Sequence, residues 1–303
     1  MGDRSARRVG RRTLLLGAGA TAIVGVAGAF AGVETGVLPG RPSVDRVLGL
    51  GEVDIPVPSG DVGPVTYRSF RSVRRGTDVT WGLGLPPDGG EGLPVVLVLH
   101  GRGADAHSGF TALHLQAFLA DHVRRGRQPL ALVSVDGADR YWHPRASGDD
   151  PLGMITSELL PRVAEQGMDV HRIGVTGWSM GGYGSLLMAR ESEQGRLGGL
   201  VVAAAAASSP ALFASFATSS PGAFDDAADW RRWGDLAAHP GVRSTPLRVC
   251  CGTSDPFAEQ TRVYRRRCHV APEGGLGAGR HDDGYWRSLL PGHLDFLGRH
   301  LNG

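Results

Sequence analysis

The stretch Gly177-Trp178-Ser179-Met180-Gly181-Gly182-Tyr183-Gly184 sets one serine among small residues, directly behind the apolar run Arg172-Ile173-Gly174-Val175-Thr176. Two local structures call for such crowding. A tight turn needs small residues and could contain the serine by chance. A strained strand-to-helix elbow, which lifts a nucleophile clear of the backbone, needs them two before and two after the serine to avoid clashes. The surrounding chain decides between the two.

Working outward, runs at 95–99, 130–135, 173–175, 200–205 and 247–251 are short and apolar on both faces, as in the middle of a parallel sheet. Helical patterns around 112–124, 154–165, 180–191 and 288–299 separate them, so the fold class expected is α/β, a mostly parallel sheet with helices on both faces. Ahead of it, 65–70 and 78–83 alternate enough to form an antiparallel edge. The stretch 208–245 interrupts the regular alternation and holds Phe213, Phe216, Phe224, Trp230 and Trp233 in a Pro/Ser/Asp-rich context. It reads equally as a large loop with its own satellite core and as a lid over a pocket.

With 303 residues, 41% hydrophobic and 20% charged, the chain suits one large domain, or at most two small ones. The net charge is only +2, with much of the basic excess in the first dozen residues, so no nucleic-acid surface is implied. No lysine occurs anywhere, and Asn302 is the one asparagine. Schiff-base chemistry, a Walker phosphate loop and a serine-lysine dyad are thereby excluded.

The N-terminus reads as a targeting segment. Arg7-Arg8 and Arg11-Arg12 precede Thr13-Leu14-Leu15-Leu16, and 17–33 carries no charge. This order is that of an export signal, and Arg11-Arg12-Thr13-Leu14-Leu15 resembles the twin-arginine type. The apolar run could span a bilayer at about 20 residues, but its alanine and glycine make it weakly hydrophobic. We therefore divide the chain into a signal peptide or membrane anchor at 1–33, with removal favoured, a linker at 34–63 and a domain at 64–303. The protein is expected to be secreted or attached to the cell envelope. Cys250, Cys251 and Cys268 allow one disulfide at most, from the 250/251 pair to Cys268, or else are buried free thiols.

In α/β sheets, function gathers in loops beyond the carboxyl ends of the strands. Ser179 lies in such a loop and precedes a credible helix, the context an elbow requires. A serine hydroxyl is a poor nucleophile until a base takes its proton, and the base needs an acid to fix its tautomer. The run 247–251 ends in Gly252-Thr253-Ser254-Asp255-Pro256-Phe257, which puts Asp255 past a buried strand, although a turn aspartate before proline reads the same way. His269-Val270-Ala271-Pro272 is expected to be the last strand, with 274–279 a flexible loop delivering His281. An acyl-transfer site also needs donors for an oxyanion, and these are expected from the turn His100-Gly101-Arg102-Gly103 after 95–99 and from the amide of Met180. Read as a phosphate loop instead, that turn lacks its lysine and hydroxyl partners. Tyr141, Trp142 and His143 follow the 130–135 strand and are expected in the pocket wall as substrate-binding residues. His143 has no second or third ligand at metal-site spacing, so neither metal nor cofactor is expected.

Leu99-His100-Gly101-Arg102-Gly103, Gly177-Trp178-Ser179-Met180-Gly181-Gly182, Asp255-Pro256 and Gly279-Arg280-His281-Asp282 together resemble the α/β-hydrolase superfamily. Within it they are most similar to the putative-esterase family, which holds S-formylglutathione hydrolase, enterochelin-esterase-like proteins and secreted mycolyltransferases. Glu158-Leu159-Leu160-Pro161 also matches that family's habit. The resemblance covers about 65–301. It implies Ser179 as nucleophile, Asp255 as acid, His281 as base, and the amides of Arg102 and Met180 as oxyanion hole. The substrate implied is a small-molecule or lipid ester. From the charge balance no nucleic-acid partner is expected, and the N-terminal segment is where membrane association is expected. The family contains both hydrolases and acyltransferases, so three readings stand: an exported serine esterase, a transferase passing the acyl group to a sugar or glycerol hydroxyl, and a non-catalytic envelope protein.

Overall fold

The computed structural model describes residues 52–53 and 55–301. The expected signal segment 1–33 and most of the expected linker lie outside them. The described end of that linker lies against the domain. Val53 and Ile55 pack on a core cluster, and the Arg124 guanidinium donates to the carbonyls of Ser59 and Asp61 at 3.0 and 3.3 Å.

Eight strands form one sheet: β1 (Val65–Ser72), β2 (Thr77–Gly84), β3 (Pro94–Leu99), β4 (Ala131–Val135), β5 (Asp169–Trp178), β6 (Val201–Ser208), β7 (Leu247–Gly252) and β8 (Glu273–Gly277). Their spatial order is β1-β2-β4-β3-β5-β6-β7-β8. β1 pairs with β2, and β2 with β4, antiparallel; every later pairing is parallel. The chain thus steps from β3 to β4 on one side and crosses to β5 on the other. Such a reversal opens a crevice at the strand ends, where ligands bind in open α/β sheets.

The residues of β3 show why the sheet is buried on both faces. Val95, Leu97 and Leu99 belong to one core cluster and Val96 and Val98 to the other, since successive side chains leave a strand on opposite sides. The first face is covered by the helical stretch α2 at 151–164 and by α3 (Met180–Glu193). The second is covered by α1 (Leu115–Arg124) and α5 (Asp283–Leu301). Within α2, the Glu158 carboxylate accepts the amides of Val73 and Arg74 at 2.8 and 3.1 Å and the Ser72 hydroxyl, which anchors the β1–β2 hairpin to this layer.

One expectation needs correction. The last strand is not 269–272 but Glu273–Gly277, which takes up most of the stretch 274–279 read as a flexible loop. An edge strand is held by its backbone, so glycines serve where β-branched residues were sought. Gly274 has φ +81°, and a Cβ there would lie 2.5 Å from Cys250 Sγ, so bulk is excluded. Arg265 fastens the strand by donating to the carbonyls of Val249, Pro272 and Glu273 at 2.7 to 2.9 Å. Arg265 belongs to α4 (Ala258–Arg267), a helix absent from the sequence reading because its arginine-rich turn masks the apolar period. No disulfide forms: Cys250, Cys251 and Cys268 are free, and burial raises the pKa of all three thiols, that of Cys268 to about 11.

Candidate active site

Ser179 sits between β5 and α3 with φ 55° and ψ −117°, a backbone state that costs on the order of 1 to 3 kcal/mol for a residue with a side chain. Its neighbours make that state reachable. A Cβ on Gly181 would lie 1.9 Å from the Leu99 carbonyl oxygen, and one on Gly177 would lie 2.5 Å from the backbone of Gly181 and Leu99. The two glycines therefore let β5 fold back onto the end of β3, as the elbow reading requires. The turn is also tied from below. Ser179 N–H donates to Ser208 O, and Tyr183 N–H and Ala211 N–H both donate to Ser179 O, each at 3.0 Å.

His281 and Asp255 converge on this serine from two other strand ends. His281 Nε2 lies 2.9 Å from Ser179 Oγ, and Nδ1 lies 2.8 Å from Asp255 Oδ2. A carboxylate only accepts, so Nδ1 carries the proton of the neutral ring and Nε2 presents its lone pair to the hydroxyl. The Asp255 side chain is fully buried, and its other oxygen accepts Phe257 N–H at 2.8 Å. Backbone bonds from Thr253 N to Gly277 O and from Ser254 N to Gly279 O, at 2.8 and 3.0 Å, lock the loop of Asp255 to that of His281. The imidazole is held edge to face against Trp286 at 4.9 Å and Phe257 at 5.2 Å between ring centres.

Ser179 and His281 line a cavity of about 360 Å³. Gly101, Arg102 and Gly103 form one wall, with Trp178, Tyr141 and Phe257 around it. Arg102 and Gly103 are exposed, whereas His100 and Gly101 are buried, so only the tip of the turn reaches the surface. The Asp139 carboxylate braces that tip by accepting Gly103 N–H at 2.7 Å. Met180 opens α3, and the first amides of a helix have no intrahelical acceptor.

The three residues expected in the pocket wall part company. Tyr141 lines the cavity, touches Phe213 and Phe224, and shares a hydrogen bond with Ser220, which also lines it. Trp142 does not line it: the indole is fully buried against Gly137, Gly184 and the His100 ring. His143 does not either. Its ring lies between Phe224 and Trp233, with Nδ1 and Nε2 each 3.0 Å from the carbonyls of Pro144 and Ala223, and burial lowers its pKa. The cause is local: Tyr141 and Trp142 both take left-handed backbone angles, φ 52° and 55°, so the chain reverses and carries the next two rings inward. His143 thus pins the 208–245 segment, which is a packed cap and borders the cavity through Ser220.

Sequence reasoning did not single out Trp178, Phe257, Trp286, Asp139, Ser208 or Ser220. Phe257 and Trp286 lie two and five positions beyond Asp255 and His281, and that closeness was the available signal. Asp139, Ser208 and Ser220 reach the site only through tertiary pairing.

With this geometry in place, comparison with known proteins is informative. The model of a family described as "Putative esterase" matches residues 72–297. The chain belongs to this esterase family. It is a carboxylic-ester hydrolase. No curated sequence matches it. Similar solved structures include a ferulic acid esterase, with TM-score 0.65 and 17% identity over 79% of this chain and 99% of the other. An S-formylglutathione hydrolase from Agrobacterium tumefaciens has TM-score 0.64 and 18% identity over 83% and 99%. The fluorophosphonate-binding serine hydrolase FphF of Staphylococcus aureus has TM-score 0.62 and 19% identity over 78% and 99%. At these identities the likeness speaks for the shared α/β-hydrolase fold.

Proposed function

We propose that this esterase cleaves small carboxylic esters through an acyl-enzyme on Ser179, with His281 as base and Asp255 as its partner. The observation that carries the reading is the unbroken hydrogen-bond relay from Ser179 Oγ through His281 to a buried Asp255, opening on a cavity. In the first half-reaction Nε2 of His281 takes the hydroxyl proton while Oγ adds to the ester carbonyl carbon. The resulting oxyanion is received by the amides of Arg102 and Met180, a contribution of about 3 kcal/mol per donor in comparable sites. Collapse expels the alkoxide, which leaves as the alcohol with the proton from His281. Water then repeats the sequence on the acyl-serine and releases the acid. The names of the structural neighbours, a ferulic acid esterase and S-formylglutathione hydrolases, support an ester of modest size.

A serine-directed fluorophosphonate followed by mass spectrometry tests the assignment. Ser179 should carry the adduct, and labelling elsewhere would remove it from the mechanism. Water is the proposed acceptor, because the aromatic cap at 208–245 supplies few sugar-binding carboxylates or amides beyond Asp225, Asp226 and Asp229. Asp225 is already engaged by Arg145 at 2.6 Å, and Asp226 caps the turn that follows it. Glycerol or trehalose at millimolar concentration should divert only a minor share of acyl groups; transfer products in excess of free acid would replace the hydrolase by a transferase.

The place of action proposed is outside the cytoplasm, with export by the twin-arginine route. Arg11-Arg12 ahead of a weakly apolar run supports it. Changing both arginines to lysine should strand the precursor in the cytoplasm, and normal export of that variant would point to the general secretory route or a plain membrane anchor.

A further inference from the structure

His100 closes β3 and directly precedes the turn that carries Arg102, yet it faces away from the cavity and is only 1% exposed. None of the chemistry above uses it. Its two ring nitrogens meet partners whose hydrogen-bonding character is fixed covalently. Nδ1 lies 2.7 Å from the carbonyl oxygen of Gly101, which can only accept. Nε2 lies 3.0 Å from the amide of Gly137, which can only donate. A single neutral tautomer satisfies both, with the proton on Nδ1. Asp136 Oδ1, 3.6 Å from Nε2, is beyond hydrogen-bond reach.

The Gly101 carbonyl and the Arg102 amide belong to one planar trans peptide, so their O and H point in opposite directions. The carbonyl is held inward by His100 Nδ1 and, across the turn, by Ala104 N–H at 3.2 Å, which aims the Arg102 N–H outward from the buried side. Gly137 belongs to the loop after β4, which also supplies the Asp139 carboxylate to Gly103 N–H. That loop grips the turn at two points, and one of them is the His100 ring.

We propose that His100 is a positioning residue that holds the Gly101–Arg102 peptide in the orientation needed to receive the oxyanion. The inference rests on the acyl-serine reading. It is tested by comparing His100→Ala, His100→Asn and His100→Gln in short-chain ester hydrolysis and in affinity for a trifluoromethyl ketone, which forms a tetrahedral adduct on an active serine. Asn places a donor where Nδ1 sits and keeps the bond to Gly101. Gln places an acceptor near the Nε2 position and keeps only the bond to Gly137.

Removing an oxyanion donor lowers kcat by about 100-fold or more, and the Ala variant should approach that loss with KM changed less than about threefold. The Asn variant should recover most of the rate while Gln remains impaired, and ketone affinity should fall in step with kcat/KM. Equal rates for Asn and Gln, a loss confined to KM, or an unchanged ketone affinity would overturn the inference. Ser179→Ala is assayed beside them. Activity in that variant overturns the acyl-serine reading and this inference together, whereas an inert Ser179→Ala with equal Asn and Gln rates overturns the inference alone.

Discussion

The carbonyl oxygen of Ser208 accepts the amide hydrogen of Ser179 at 3.0 Å, so the last residue of β6 holds the elbow on the neighbouring strand. The Ser208 hydroxyl in turn meets Nε2 of the buried His293 at 2.9 Å. The strained backbone of Ser179 is thus braced by a chain of contacts that ends on His293 of α5.

Because that bracing is made by the main chain, the Ser179 side chain is dispensable to the fold. Ser179→Ala should remove several orders of magnitude of kcat on short p-nitrophenyl esters. Its Tm should stay within about 2 °C of the parent. Retention of most activity would exclude Ser179 as nucleophile.

Gly181→Ala would drive a methyl group against the Leu99 carbonyl, and neither backbone can yield without moving the end of β3. We expect a loss of at least about 3 kcal/mol, or no folded protein. Gly195→Ala is the control: its φ of +69° is left-handed, a strain that Gly181 in α3 does not carry, but no atom stands within 4 Å of the added Cβ. That change should cost only about 1 kcal/mol. Denaturant midpoints for the two variants settle the comparison, and similar values would show that close approach is not what requires glycine at the elbow.

Asp255→Asn should keep the shape of the site while favouring the wrong tautomer of His281, lowering kcat by about 10³-fold or more. Asp282 lies next to the base but caps α5, accepting Tyr285 N–H at 2.9 Å, and Asp283 borders the cavity. Asn at either of these positions should cost less than about tenfold. Steady-state kinetics of the three variants decide the acid, and greater sensitivity at a neighbour would reassign it.

Acid stability should report on His293. Burial, with help from Arg248, lowers its pKa to about 3 from the ordinary 6.5. The unfolded chain therefore binds a proton that the native state refuses between those values, and stability falls as pH drops from 6.5 toward 3, by about 1.4 kcal/mol per unit. His293→Gln should be less stable than the parent at pH 7.5, having lost packing and the native ring, yet lose stability less steeply below pH 6.5. Parallel Tm profiles for the two proteins would remove His293 as the cause.

Much of this architecture was legible because its signals are local. The apolar runs of β3, β4 and β5 and the glycines around Ser179 each report on their own backbone, so sheet class and elbow could be read without partners. Asp255 and His281 could be marked because loops past buried strands are few. What stayed hidden depended on direction and on distant pairing. Nothing in Tyr141-Trp142-His143 announces two successive left-handed residues, so Trp142 and His143 were expected in the cavity and lie in the interior instead. Nor does Glu273-Gly274-Gly275-Leu276-Gly277 look like a strand, since β7 and Arg265 supply the order that its side chains lack.

The relay spans 102 positions between Ser179 and His281 and 26 between Asp255 and His281. Closing loops of that size costs chain entropy, and the base is delivered by β8 and α5, which follow both the elbow and the acid loop along the chain. On the proposed assignment, elbow and acid loop without docked β8 and α5 form no relay. Turnover therefore reports that the segment 273–301 has docked beside the elbow.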